Sequence, residues 1–312
     1  MSDVTTTWPA LPLAQWEATR DTLHLWTQIV GKVRLALEPW VNHSWHVPLY
    51  VNARGLTTSL MPVGGRGLEI QFDFCRHVLE LSTTDGREER LALEARSVAD
   101  FYVETMGRLA ELDVAVQIWP HPVELPDVIP FPDDTHHASY DPEFAHRFWQ
   151  SLVQAHRVLT TFRSRFTGKA SPVHFFWGAF DLAVTRFSSR EAPRHPGGIP
   201  NAPDWVMQEA YSQEVSSCGY WPGGADEGVF YAYAYPEPAG FRTWPVEPDG
   251  VSYDETLGEF VLPYEVVRTA ADPDAVLLSF LQTTYDAAAE LAAWDRSRLE
   301  RATRKPPPVQ EP

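Results

Sequence analysis

The stretch Leu68-Glu69-Ile70-Gln71-Phe72-Asp73-Phe74-Cys75 alternates apolar and polar residues without a break. Successive side chains on a strand point to opposite faces, so this pattern sets one face on a core and the other towards water. Residues 78–82 read as the returning strand, and Thr84-Asp85-Gly86 as the turn after it. Upstream, Trp45, Val47, Leu49 and Val51 alternate with His46, Pro48, Tyr50 and Asn52, and residues 54–58 continue that strand or begin another. A mixed or antiparallel sheet is expected here.

Helices frame it. Leu23, Trp26, Val30, Val33 and Leu37 carry the spacing of a buried helical stripe, which predicts a helix over 13–37 ended by Pro39. Ser97 is placed to cap a helix reaching Leu112, and residues 114–119 read as a short strand. Pro120, Pro122, Pro126, Pro130, Pro132 and Pro142 then crowd the chain too closely for a helix or a central strand. Residues 120–140 are therefore read as a connector between a first half, 13–119, and a second half, 141–299. The connector's Val123, Leu125, Val128, Ile129 and Phe131 require it to pack on the body.

The second half repeats the order. A helix over 142–166 has Asp141 as its cap and Pro142 at its first position. Residues 173–187 are almost wholly apolar, and residues 188–204 read as a loop. Strands are expected near 210–218, 229–235 and 259–262, and a helix over 274–299. Residues 1–12 are expected to be irregular, and 300–312 a disordered tail. The fold class is α+β: two similar helix–strands–helix halves, with sheets covered by long helices.

Three ungapped matches support a repeat. His24-Leu-Trp-Thr-Gln28 lies against His146-Arg-Phe-Trp-Gln150, and His46 and Thr57 lie against His174 and Thr185. Phe101, Thr105 and Ala110-Glu111-Leu112 match Phe280, Thr284 and Ala289-Glu290-Leu291. On that reading His46 and His174 are equivalent positions facing one cleft.

Composition narrows the partners. A formal net charge of −17 opposes phosphate backbones and anionic membranes, so neither is an expected partner. The start lacks a charged and apolar signal pattern, and no apolar run is long enough to span a bilayer, so the expected location is cytoplasmic. Two cysteines, Cys75 and Cys218, give no disulfide framework. Twelve tryptophans call for a core or pocket with both apolar and polar walls.

The segments His24-Leu-Trp-Thr-Gln-Ile-Val-Gly-Lys-Val-Arg34, Asn42-His-Ser-Trp-His-Val-Pro-Leu-Tyr50, Arg96-Ser-Val-Ala-Asp-Phe-Tyr102, Ser171-Pro-Val-His-Phe-Phe-Trp-Gly178 and Glu214-Val-Ser-Ser217 resemble the bacterial domain-of-unknown-function family 5996. The resemblance spans nearly the whole chain and implies no activity. In that family the residue before Glu214 is usually His, and here it is Gln213.

Several residues are candidates for chemistry. His46, Asp73, His77, His174 and Glu214 are the candidate ligands, imidazole and carboxylate being usual donors to a divalent metal, which is the candidate cofactor. Asp73, Cys75 and His77 share one face if their strand stays straight. His46, Arg54, His174, Asp181 and Arg186 are the candidate substrate-binding residues, with Lys32 and Arg34 as further cations beside apolar segments. Satisfied core histidines and structural ion pairs are the plainer account of each. Cys218 before Gly219 lacks the strand–turn–helix setting of a nucleophile, and Gly64-Gly65-Arg66-Gly67 precedes a strand instead of the helix that phosphate binding needs. The leading function is small-molecule binding, with or without metal-dependent catalysis, in an aromatic cleft between the halves. The alternative is a non-catalytic interaction or structural protein.

Overall fold

The structure is a computed structural model and describes residues 8–223 and 226–301. The first half opens with α1 (Leu13–Leu37), whose predicted bounds hold. After a short 3-10 turn at Asn42–Ser44 come β1 (Tyr50–Val51), β2 (Gly55–Thr57), β3 (Met61–Val63), β4 (Arg66–Asp73), β5 (Val78–Thr83) and β6 (Glu88–Ala92). The half closes with α2 (Val98–Glu111), where the Ser97 side chain accepts the Asp100 N–H as its cap. The second half opens with α3 (Pro142–Ser164), capped by Asp141. It continues through β7 (His174–Phe176), β8 (Asp181–Glu191), α4 (Asp204–Ala210), β9 (Gln213–Trp221), β10 (Val229–Tyr235), β11 (Ser252–Asp254) and β12 (Glu259–Pro263). It ends with α5 (Tyr264–Arg268), α6 (Pro273–Leu291) and α7 (Arg296–Leu299). The chain is α+β, and no described helix is long and apolar enough to cross a membrane.

Each half builds one six-stranded antiparallel sheet. The first runs β1-β2-β4-β5-β6 with β3 beside β4, and the second runs β11-β12-β10-β9-β8-β7. Leu49, just before β1, exchanges both backbone hydrogen bonds with Phe175 of β7, at 2.8 and 2.7 Å. The two sheets therefore meet edge to edge, which covers part of an otherwise open edge on each.

One layer of helices covers one face. Trp26 of α1 stacks on Phe101 of α2 at 4.4 Å between centroids, and Trp16 of α1 on Phe148 of α3 at 5.7 Å. Leu182, Val184, Cys218, Tyr220 and Phe230 stand on the sheet face turned to this side and are buried. Each fully buried side chain of Leu or Phe size contributes about 2 kcal/mol, so burial along this seam stabilises the packing of helices on sheet.

Several expectations need correction. The strand expected over 45–52 shrinks to two residues, because His43 and Ser44 adopt positive φ in the turn before it and Pro48 has no N–H to donate. Residues 114–119 form no strand with any of the described residues. The apolar run 173–187 splits at residues 177–180, where Phe180 has φ 60°, and becomes the β7–β8 hairpin. α4 interrupts the stretch expected to be loop and strand, and the last helix breaks after Leu291. Trp8 and Leu11 are buried although their segment is irregular. Glu300 bridges to Phe166, so the expected tail begins later. Residues 1–7 and the tail over 302–312 lie outside the described residues. The first half runs helix, strands, helix, whereas the second carries α4 among its strands and ends in α5, α6 and α7. His46 and His174 also differ in place, the first in the turn before β1 and the second inside β7.

Candidate functional site

Strand alternation gives the second sheet another face, turned away from α3 and α6. Asp181 and Thr185 of β8, Ser217 of β9, Tyr231 and Tyr233 of β10 and Glu259 of β12 stand on it. The turn before β1, the connector around residues 117–125 and α4 fold over this face. Together they enclose a cleft of about 1100 Å³.

α1 fixes the connector's path. His24, Gln28 and Lys32 are four apart and share one helical face. Gln28 Nε2 donates to the Val123 carbonyl at 3.0 Å, and the Val123 N–H donates back to Gln28 Oε1 at 2.8 Å. His24 Nε2 lies 2.8 Å from the Gly178 carbonyl oxygen, in the β7–β8 turn. Lys32 Nζ stands 5.0 Å from the Trp119 ring centroid and 5.7 Å from that of Trp177. Trp177 comes this close because Gly31 has no side chain: a Cβ there would sit 2.2 Å from the indole.

The polar wall is built across strands. β9 separates β8 from β10, and its Gly219 pairs with Ala183 on one side and Tyr231 on the other. A Cβ on Gly219 would lie 2.4 Å from the Tyr231 hydroxyl. Without it, Tyr231 lies across β9 and donates its hydroxyl to the Asp181 carboxylate. Nearby, the Tyr211 and Tyr233 hydroxyls are 2.6 Å apart, and those of Thr185 and Ser217 are 2.9 Å apart.

Three carboxyls share this wall, and burial disfavours the charge on each. Burial pushes Asp181 up to about 6, against the opposing hydrogen bond from Tyr231. Burial, then the Asp181 charge, push Glu124 up to about 7. Burial, then Asp181 and Asp254, push Glu259 up to about 7. Glu124 is exposed by area, but it lines the cleft, and its Oε1 would sit 2.0 Å from a Cβ on Gly178. Confinement therefore governs this carboxyl more than bulk water does. Among the described residues none of the three has a cationic side chain within 4.0 Å.

Two basic groups also line the cleft. Lys32 is 4% exposed, and burial alone lowers its ammonium to about 8. His174 is buried, its Nδ1 has no partner among the described residues, and burial followed by the Arg163 charge pushes it down to about 3. Its ring is therefore neutral at ordinary pH.

Of the residues singled out from sequence as candidates for chemistry, Lys32, His174 and Asp181 line the cleft. The other candidate site residues stand elsewhere. The His46 ring packs on Trp40 at 4.4 Å, with Nδ1 against the Val41 backbone, so the expected pair with His174 does not form across the cleft. Arg54 and Asp73 form an ion pair at 2.5 Å in the first half, where Asp73 also accepts the N–H groups of Cys75 and Arg76. That turn breaks the face expected for Asp73, Cys75 and His77, and His77 Nδ1 lies 2.8 Å from the Tyr140 hydroxyl. Arg186 faces the helices, its guanidinium 3.5 Å from the Phe162 ring centroid and 4.3 Å from that of Tyr285. Glu214 pairs with Arg190 at 2.6 Å. Gln213 accepts from Lys169 at 3.3 Å, and Lys169 Nζ is 2.5 Å from His43 Nε2. Among the described residues, no three His, Cys, Asp or Glu side chains gather closely enough to share a metal ion.

Glu124, Glu259, Tyr211, Tyr231 and Tyr233 were missed. The run Tyr231-Ala-Tyr-Ala-Tyr235 was the available signal, since alternation with alanine puts three tyrosines on one face. Glu124 had none, because only the folded connector brings it to the sheet.

No curated protein and no solved structure matches the chain. A family model described as a family of unknown function (DUF5996) matches residues 8–301. With nearly its whole length and all of the cleft inside that match, the chain belongs to this family of unknown function.

Proposed function

We propose that the cleft binds a small organic molecule carrying a basic nitrogen. Its ammonium group sits against Asp181, Glu124 and Glu259, and its body lies along the aromatic walls. The observation behind this reading is that three carboxyls share one wall with no cationic side chain within 4.0 Å among the described residues. Gathering carboxylates away from bulk water is unfavourable unless protons or a cation compensate. A ligand ammonium supplies that cation, and aromatic faces attract it further. At about 1100 Å³ the cleft is slightly larger than the usual small-molecule site of roughly 300–1000 Å³. Asp181, held by Tyr231 and poised near neutrality, is the group best placed to move a proton if the bound molecule reacts.

Thermal unfolding with a panel of primary amines, matched alcohols and matched carboxylates tests this. Amines should raise Tm where alcohols do not, and Asp181→Asn should weaken that response. A panel in which no amine stabilises the wild type would end the reading. The exposed rim of the cleft favours a second reading, docking of an apolar segment of another protein: Trp119, Trp205 and Leu257 are 54%, 52% and 52% exposed. Under it, Trp205→Ala loses the partner while amines leave Tm unchanged.

A further inference from the structure

The cleft has a second charged end. Lys32 lines it, is 4% exposed and makes no salt bridge within 4.0 Å among the described residues. The faces of Trp119 and Trp177 are what its ammonium meets, and rings replace only part of the water that it has lost. An ammonium in that position lacks an anion, just as the acid wall lacks a cation. Lys32 is eight residues beyond His24 on α1, which is about 12 Å along the axis. His24 marks the other end, because it holds Gly178, against which Glu124 presses. Cation and acids therefore share the cleft without pairing within 4.0 Å among the described residues, with two indole faces beside the cation.

We infer that the ligand is amphoteric, with a carboxylate held by Lys32, an amino group held by the Glu124–Asp181–Glu259 wall, and an apolar spacer between. This rests on the amine-binding reading of the wall given above. The spacer lies on Trp119 and Trp177, and because the two charged ends do not pair within 4.0 Å, a chain longer than that of an α-amino acid is chosen as the probe.

Calorimetric titration of the full chain with aminohexanoate, aminooctanoate, hexylamine, octylamine and octanoate is the test. The better-fitting amino acid should bind about tenfold or more tightly than the amine of equal length. Lys32→Met should remove that advantage, so that the amino acid binds no more tightly than the amine of equal length, and Lys32→Arg should retain it. If amines bind and a carboxylate adds nothing, the inference fails while the amine site stands. If neither amines nor amino acids bind, both readings fail. If octanoate binds as tightly as aminooctanoate, the acid wall takes no part and the amphoteric ligand is overturned. Should Lys32→Met fail to fold, the wild-type comparison of amino acid, amine and acid still decides.

Discussion

The Tyr231 hydroxyl donates to Asp181 from two strands away. The reach exists because Gly219 leaves the intervening strand bare. Gly219→Ala would place a methyl 2.4 Å from that hydroxyl and 2.3 Å from the Leu182 carbonyl oxygen, so the backbone or the tyrosine must move. Overpacking of this kind costs about 1–3 kcal/mol, readable by urea unfolding. Tyr231→Phe separates the hydrogen bond from the packing. The bond favours the charged carboxylate, so its loss should raise the Asp181 pKa further, as followed by carboxyl NMR. An unchanged titration would show that the bond does not hold in solution.

The acid wall predicts a pH dependence of stability. Asp181 rises from 3.8 to about 6 on folding, and Glu124 and Glu259 from 4.5 to about 7. Between those limits the folded chain binds more protons than the unfolded chain, so stability falls as pH rises. The contribution of these groups is fully present below about pH 4 and gone above about pH 7. Asp181 alone accounts for about 3 kcal/mol at most. Urea unfolding across this window should show a decline that Asp181→Asn flattens. A bound amine should oppose the decline, because it stabilises the charged carboxylates. Equal slopes for wild type and Asp181→Asn would count against the buried setting of this group.

Arg186 was expected at the site and instead sits in an aromatic cage on the opposite face. Its guanidinium donates to the Phe162 carbonyl at 2.5 Å, and burial lowers its pKa to about 10. Removing the whole side chain opens a large cavity, whereas an apolar side chain of similar length can fill the cage. Arg186→Ala should therefore lose about 3 kcal/mol or more, and Arg186→Met much less. Ligand affinity should change in neither variant that folds. A selective loss of affinity in Arg186→Met would return this residue to the site.

What was legible in the sequence follows from locality. α1 could be bounded because Leu23, Trp26, Val30 and Val33 form a stripe and Pro39 stops it, all within one element. β4 and β5 were legible for the same reason, each with one buried face. β6 was not, because only Leu91 of its five residues is buried. At the site, His174 and Asp181 were found among apolar neighbours, where a polar residue stands out. Arg186 stood out equally, and strand parity alone separates it from Asp181: five residues apart, they face opposite sides. Glu124 depends on contacts between the connector, α1 and the β7–β8 turn, which no local pattern encodes.

Those contacts centre on Gln28, which carries the last prediction. Its amide satisfies both backbone groups of Val123 and is itself fully buried. Leaving buried partners unpaired costs about 1–3 kcal/mol, unless the segment swings out to find water. Pro122 is buried, but His121, Glu124 and Leu125 are at least partly exposed, so release is the cheaper response. Gln28→Leu should therefore lower global stability by less than a core polar-to-apolar exchange usually does. It should instead expose residues near 117–125 to limited proteolysis and weaken amine binding through the displaced Glu124. Gln28→Glu is the sharper probe. It keeps the acceptor for the Val123 N–H and loses the donor to the Val123 carbonyl, so cleavage should be intermediate at neutral pH. It should approach wild-type protection as the new carboxyl is protonated and can donate again. Equal protease resistance in wild type and Gln28→Leu would show that something other than Gln28 holds the connector over the cleft.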